Sequence, residues 1–144
     1  MTRALPPTVP PALGATLESA LYARDLAAAE RFYAGVLGLE VVARVEGRHV
    51  FFRVGAGMLL LFNPEATARP STNPALPVPA HGATGPGHYC FAVPPDGLGP
   101  LRAHLEAAGV AIEADFRWPG GARSVYVRDP AGNSVEFADP ALWG

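Results

Sequence analysis

Glu18, His88 and Glu136 are the residues of this chain whose types and spacing can do chemistry. Two carboxylates and one imidazole balance the charge of a divalent cation, and three protein donors leave coordination positions open for water or substrate. An open site of that kind is what metal-assisted catalysis needs. Each residue alone also has a plainer reading, since a strand carboxylate is commonly solvated or hydrogen-bonded and a lone histidine is commonly satisfied inside a core. Gathered on one face, three ionisable groups need some means of offsetting the cost of desolvated charge.

The elements that must position them form a repeat. Residues 17–23 and 87–93 are alternating apolar runs that read as strands, and each precedes a helical pattern. In the first, Asp25 is a good N-cap, and Leu26, Ala29, Phe32 or Tyr33, Val36 and Leu37 recur at helical spacing until Gly38. In the second, Asp96 precedes Leu98, Leu101, Leu105 and Ala108, and Gly109 stops the run. Leu39 to Val45 then matches Val110 to Phe116, His49 to Arg53 matches Ser124 to Arg128, and Met58 to Phe62 matches Asn133 to Phe137. The spacing predicts an α+β fold of two βαβββ modules that form a curved mixed sheet around a cavity. Module one spans 16–63 and module two 87–140, within a single domain 16–144. A linker over 64–86 holds six of the 16 prolines, and a proline-rich flexible arm covers 1–15.

Side chains alternate along a strand, so parity sorts the two faces. Leu17 and Leu21 turn to the helix, which sends Glu18, Ala20 and Tyr22 to the cavity. His88 with Cys90, Ser124 with Tyr126, and Glu136 with Ser134 share the inner face. Overlaying the modules puts Glu18 on His88 and Glu136 on Leu61. Ser124 and Tyr126 are candidate substrate contacts, with His49 and Phe51 as their counterparts in the first module. Trp118, in the loop Arg117 to Gly121, is placed to lid the cavity or to meet a second chain. Cys90 reads as a small buried hydrophobe, and His81 and His104 receive no role.

Composition removes other chemistries. The 144 residues are 49% hydrophobic and 17% charged, which suits one packed domain. A formal charge of -2 provides no cationic field for nucleic acid. The absence of lysine removes Schiff-base chemistry, and a single cysteine removes disulfides, CxxC redox pairs and cysteine zinc cages. No run approaches a membrane span or a signal peptide, so a cytoplasmic location is the default expectation.

The string Leu21-Tyr22-Ala23-Arg24-Asp25-Leu26, with Glu30-Arg31-Phe32-Tyr33 and Val36-Leu37-Gly38-Leu39, resembles the opening of the vicinal oxygen chelate superfamily, the glyoxalase, bleomycin-resistance and extradiol-dioxygenase group. Residues 126–137 resemble its last hairpin, and the likeness covers roughly 16–140. It implies metal ligands at Glu18, His88 and Glu136. Glutamate in place of the more usual histidine or glutamine at the first position favours harder ions among Mn, Fe, Ni, Zn and Mg. Leucine at the fourth position departs from many glyoxalases and leaves a three-ligand site. The resemblance also implies a homodimer, in some members with the first ligand supplied by the other chain.

Three functions fit these residues. The first is an enzyme in which a divalent metal polarises an oxygenated small molecule, with Glu18 or Glu136 moving a proton. The second is a metal-free protein that sequesters a drug or metabolite, resembling bleomycin-resistance proteins, through Tyr22, Phe51, Tyr126 and Trp118. The third is a scaffold in which the three ionisable residues are a buried polar network.

Overall fold

A computed structural model of the chain describes residues 9–144. The first eight residues of the expected proline-rich arm lie outside the described residues. The rest of the arm is exposed and leads without regular structure into the first strand.

Module one runs β1 (Glu18–Tyr22), α1 (Leu26–Glu30), β2 (Glu40–Val45), β3 (His49–Val54) and β4 (Gly57–Phe62). One short helix, α2 (Pro64–Thr67), interrupts the connection that follows. Module two runs β5 (His88–Ala92), α3 (Leu98–Ala107), β6 (Ala114–Arg117), β7 (Arg123–Arg128) and β8 (Ser134–Ala138). The strand orders are β1-β4-β3-β2 and β5-β8-β7-β6, each with its first and last strands parallel and the rest antiparallel. The expected βαβββ repeat is therefore present, as two four-stranded mixed sheets.

The first helix differs from the expected uniform pattern. Asp25 caps it by accepting from the Ala28 amide at 3.0 Å, but after Glu30 the turns widen into a π-helix over Arg31–Val36. The Leu37 amide reaches back five residues to Phe32. This wider turn carries two consecutive aromatic rings, Phe32 and Tyr33, into the core, packed edge to face at 4.9 Å. Gly38 and Gly109 end the two helical runs with φ of +75° and +79°, a conformation that side chains with a Cβ rarely adopt. The second of the matched strands is shorter than expected, because residues 110–113 are irregular and β6 starts at Ala114.

Register corrects one pseudo-symmetric pair. Glu18 lies opposite Met58 and His88 lies opposite Ser134, so Glu136, two beyond Ser134, corresponds to Leu60 rather than Leu61. Leu61 is fully buried in the core cluster with Leu21 and Leu59. A one-residue slip moves a strand side chain to the opposite face, which is how the overlay misplaced it.

One apolar cluster runs through both modules, from Leu21, Tyr33, Phe52 and Leu59 to Phe91, Leu105, Val125 and Phe137. A buried polar knot ties the modules at the same junction. The Tyr33 hydroxyl donates to Asp129 Oδ2 at 2.7 Å, and Asp129 also accepts from the Ala131 and Asn133 amides and from Asn133 Nδ2. Asn133 in turn donates to the Tyr22 carbonyl and accepts from the Gly87 amide at 2.7 Å. Burial and the Asp129 carboxylate drive the Tyr33 phenol far above its ordinary range, so it remains a donor at any working pH. Truncating Asp129 to Ala strands four donors and is expected to cost at least about 3 kcal/mol, against about 1 kcal/mol for Tyr33→Phe, in urea unfolding.

A second polar group anchors β6 to β7. Asp115 accepts from Arg123 Nε and Nη2 at 2.8 and 2.7 Å and from Arg102 Nη1 at 2.6 Å. Its carboxyl is held well below the usual carboxylate range, chiefly by the Arg123 hydrogen bonds. With a folded pKa below the unfolded one, this stabilisation is complete above the unfolded value near pH ~4 and is lost as pH falls through the lower folded value. Asp115→Asn should thus lower stability by roughly 1–2 kcal/mol at pH 7, with the gap closing only well below pH ~4 in a pH series of urea titrations.

Candidate functional site

Module two gathers the polar side chains. His88 and Glu136 face each other across the adjacent strands β5 and β8, with His88 Nε2 3.3 Å from Glu136 Oε1. Glu136 is deeply buried because β8 is an interior strand, its side chain 7% exposed against 53% for His88 on the edge strand β5. Ser124 on β7, fully buried, donates to Glu136 Oε2 at 2.6 Å, and the Trp118 indole donates to Ser124 Oγ at 2.8 Å. Tyr126 pairs with Glu136 in register and stacks on Phe116 at 5.8 Å, while His88 lies 6.2 Å from the Tyr126 ring.

His88 is held between two acceptors. Its Nδ1 lies 3.1 Å from the Ser134 carbonyl, which can only accept, so this nitrogen carries the hydrogen. The other ring nitrogen, Nε2, is turned to the Glu136 carboxylate, where a proton or a cation can bridge the two atoms. The backbone carbonyl on the far nitrogen is the usual means of orienting a metal-binding histidine.

Glu18 does not join this pair. It is exposed on β1, and among the described residues no three His, Cys, Asp or Glu side chains stand close enough to hold a metal ion. Glu18 and His88 do line one groove of about 460 Å³ between β1 and β5, together with Ala20, Met58 and Cys90. Of the three sequence candidates, His88 and Glu136 thus form a close pair, and Glu18 stands apart from it on the same groove. Cys90 is exposed on the same face. Partial burial of the sulfur and the Glu136 carboxylate push its thiol up to about 12, and burial with the same carboxylate pushes the Tyr126 phenol up to about 12. Both remain protonated at neutral pH and can only approach an oxyanion as donors.

Module one presents a different surface. His49 stacks on Phe51 at 4.0 Å, Phe62 meets both rings edge to face, and His81 from the connection lies over Phe62 at 4.7 Å and accepts from or donates to the Tyr22 hydroxyl at 2.7 Å. Of the expected substrate contacts, Ser124, Tyr126 and Trp118 therefore accompany Glu136, whereas His49 and Phe51 belong to a separate aromatic face. Two participants were missed. Phe116 was discoverable, since it lies opposite Ser124 in register and alternation puts it on the inner face. His81 carried no such signal, because nothing periodic in the connection predicts where it folds back.

The sequence matches the model of the Glyoxalase/Bleomycin resistance protein/Dioxygenase superfamily over residues 15–137. The chain belongs to this superfamily. Among solved structures, a lactoylglutathione lyase from Agrobacterium tumefaciens is 48% identical, with a TM-score of 0.86 over 90% of this chain and 96% of that one. A glyoxalase/bleomycin resistance protein/dioxygenase from Nocardioides is 21% identical, with a TM-score of 0.70 over 91% of this chain and 86% of that one. A glyoxalase-related enzyme from Fulvimarina pelagi is 24% identical, with a TM-score of 0.68 over 92% of each chain. These last two share the fold. Comparison with curated proteins gave no match.

Glu136 is a buried carboxyl group with a 2.6 Å hydrogen bond from Ser124. Replacing it by Gln keeps an acceptor for Ser124 and removes the desolvated carboxylate. Metal-free Glu136→Gln protein is expected to melt about 2–4 °C higher than wild type, corresponding to roughly 1 kcal/mol, in a thermal scan.

Proposed function

We propose that this protein is a glyoxalase-type enzyme that acts on a small oxygenated molecule, with a divalent metal held by His88, Glu136 and Glu18 of a second copy of the chain. The observation that carries the reading is the His88 ring fixed between the Ser134 carbonyl and the Glu136 carboxylate, its Nε2 3.3 Å from Oε1. The similarity to a lactoylglutathione lyase at 48% identity supports the reaction class. The ion, drawn from Mn, Fe, Ni, Zn and Mg, would supply Lewis acidity to substrate oxygens.

The chain's own residues would do the rest. With Oε2 of Glu136 held by Ser124 and Oε1 turned to the ion, the carboxylate that substrate displaces from the ion, Glu18 or Glu136, would take or return a substrate proton. Tyr126 and Cys90, both protonated, would donate toward developing negative charge. Phe116 and Trp118, packed edge to face at 4.9 Å, would keep water from one side of the reacting atoms.

A second copy supplies what one chain lacks. β1 and β5 each pair on one side only, and Glu18, Ala20, His88, Cys90 and Ala92 all lie exposed along them. A catalytic face this open needs a cover, and a homodimer with the first module of one chain over the second module of the other supplies both cover and third ligand. No helix among the described residues is long and apolar enough to cross a membrane. The aromatic face of Tyr22, His49, Phe51 and Phe62 favours a second reading, metal-free sequestration of a flat ligand.

Elemental analysis of protein purified without chelator or metal-affinity resin, beside Glu18→Gln and His88→Ala, separates the two readings. Near-stoichiometric metal that is lost with turnover in both variants is expected; an empty wild type that gains no thermal stability from added metal favours sequestration. Mixing inactive Glu18→Ala and His88→Ala chains should restore about a quarter of wild-type sites, because half the dimers are mixed and each has one intact site. A site built within one chain would stay dead.

A further inference from the structure

Trp118 sits in a loop that the hairpin holds tightly. Its amide donates to the Ala122 carbonyl at 2.8 Å, the Gly121 amide donates back to the Trp118 carbonyl at 2.8 Å, and Arg117 Nη1 reaches the Gly121 carbonyl at 3.0 Å. The ring rests edge to face on Phe116. An indole N–H only donates, so the hydrogen bond at 2.8 Å to Ser124 Oγ must use a serine lone pair. The serine proton is thereby directed elsewhere, and the acceptor within reach is Glu136 Oε2 at 2.6 Å, a short charge-assisted contact. The carboxylate is left with Oε1 toward His88 Nε2.

We infer that Trp118 is a positioning residue: through the Ser124 hydroxyl it sets which oxygen of Glu136, and in which orientation, is presented with His88 to an incoming cation. This rests on the metal-dependent reading of the His88–Glu136 pair. Without the indole donor, the serine hydroxyl regains its rotor freedom and the buried carboxylate loses the contact that defines its plane. The effect should appear in cation affinity, where outer-shell hydrogen bonds act, with little change in folding.

The test is calorimetric titration of the full-length protein with Ni²⁺ alone, for wild type, Trp118→Phe, Ser124→Ala, Ser124→Thr and the Trp118→Phe/Ser124→Ala double variant. Trp118→Phe keeps a six-membered ring against Phe116 while removing the N–H donor and the fused pyrrole ring. Each of Trp118→Phe and Ser124→Ala should weaken binding about tenfold, the double variant no more than either alone, and Ser124→Thr by less than about twofold, because it retains the hydroxyl. Wild-type affinity in Trp118→Phe, losses that multiply in the double variant, or Ser124→Thr as weak as Ser124→Ala would overturn the inference.

A wild type that binds no Ni²⁺ would count against the metal reading and leave the relay to a second measurement. In ¹⁵N-labelled Trp143→Phe protein, which removes the 90% exposed Trp143, Trp118 supplies the sole indole resonance. Its N–H should exchange slowly and shift on Ser124→Ala; fast exchange, or no shift, would overturn the relay itself.

Discussion

The buried Asp129 carboxylate is the polar contact that fixes the two sheets against each other across their shared apolar cluster. Each module has a sheet packed by its own helix, and no strand ladder joins the two sheets among the described residues. Asp129 accepts from a tyrosine of the first module and from an asparagine of the second, and that asparagine reaches back to the end of β1 and the start of β5. The junction is tight: a Cβ on Gly87 would come within 2.9 Å of a Leu21 methyl. Because the polar knot lies where the shared apolar cluster passes between modules, its geometry sets how β1 and β5, and hence Glu18 and His88, face the groove. Such buried networks are effective at specifying one arrangement because every member is satisfied only there.

The duplicated unit has divided its labour. Strand register makes Glu18 answer to His88, Leu60 to Glu136, His49 to Ser124 and Phe51 to Tyr126. At these equivalent positions the second module carries an imidazole, a carboxylate, a hydroxyl and a phenol, while the first carries one carboxylate, a leucine and stacked rings. Charge is concentrated where interior strands can bury it and where neighbouring donors hold it. The aromatic face offers area and shape without competing acceptors. The polar group thus lies on the second module and the aromatic face on the first.

Much of this was legible in the chain itself. The βαβββ repeat followed from the alternation around Leu21 and Phe91, the helical spacing from Leu26 and Leu98, and the stops at Gly38 and Gly109, all of which are local signals. The grouping of His88, Ser124, Tyr126 and Glu136 on one face followed from parity alone, since a strand's period of two leaves no freedom once one residue is assigned. Family membership followed from motifs at both ends of the chain. Where parity was applied across modules rather than within a strand, it slipped by one residue, at Leu61, because the two hairpins had to be aligned without their hydrogen bonds.

Tertiary structure alone decided the rest. The widening of the first helix into a π-turn depends on seating Phe32 and Tyr33 together against the core, a packing requirement that helical periodicity does not encode. The return of His81 to Tyr22 depends on the path of a connection with no periodic pattern. The direction of the Ser124 hydroxyl depends on an indole six residues away that is brought in by a hairpin turn. Residue types and their spacing determined which groups share a face, because backbone geometry is local. Which of those groups touch, and which oxygen faces which nitrogen, was set by distances between elements that only packing fixes.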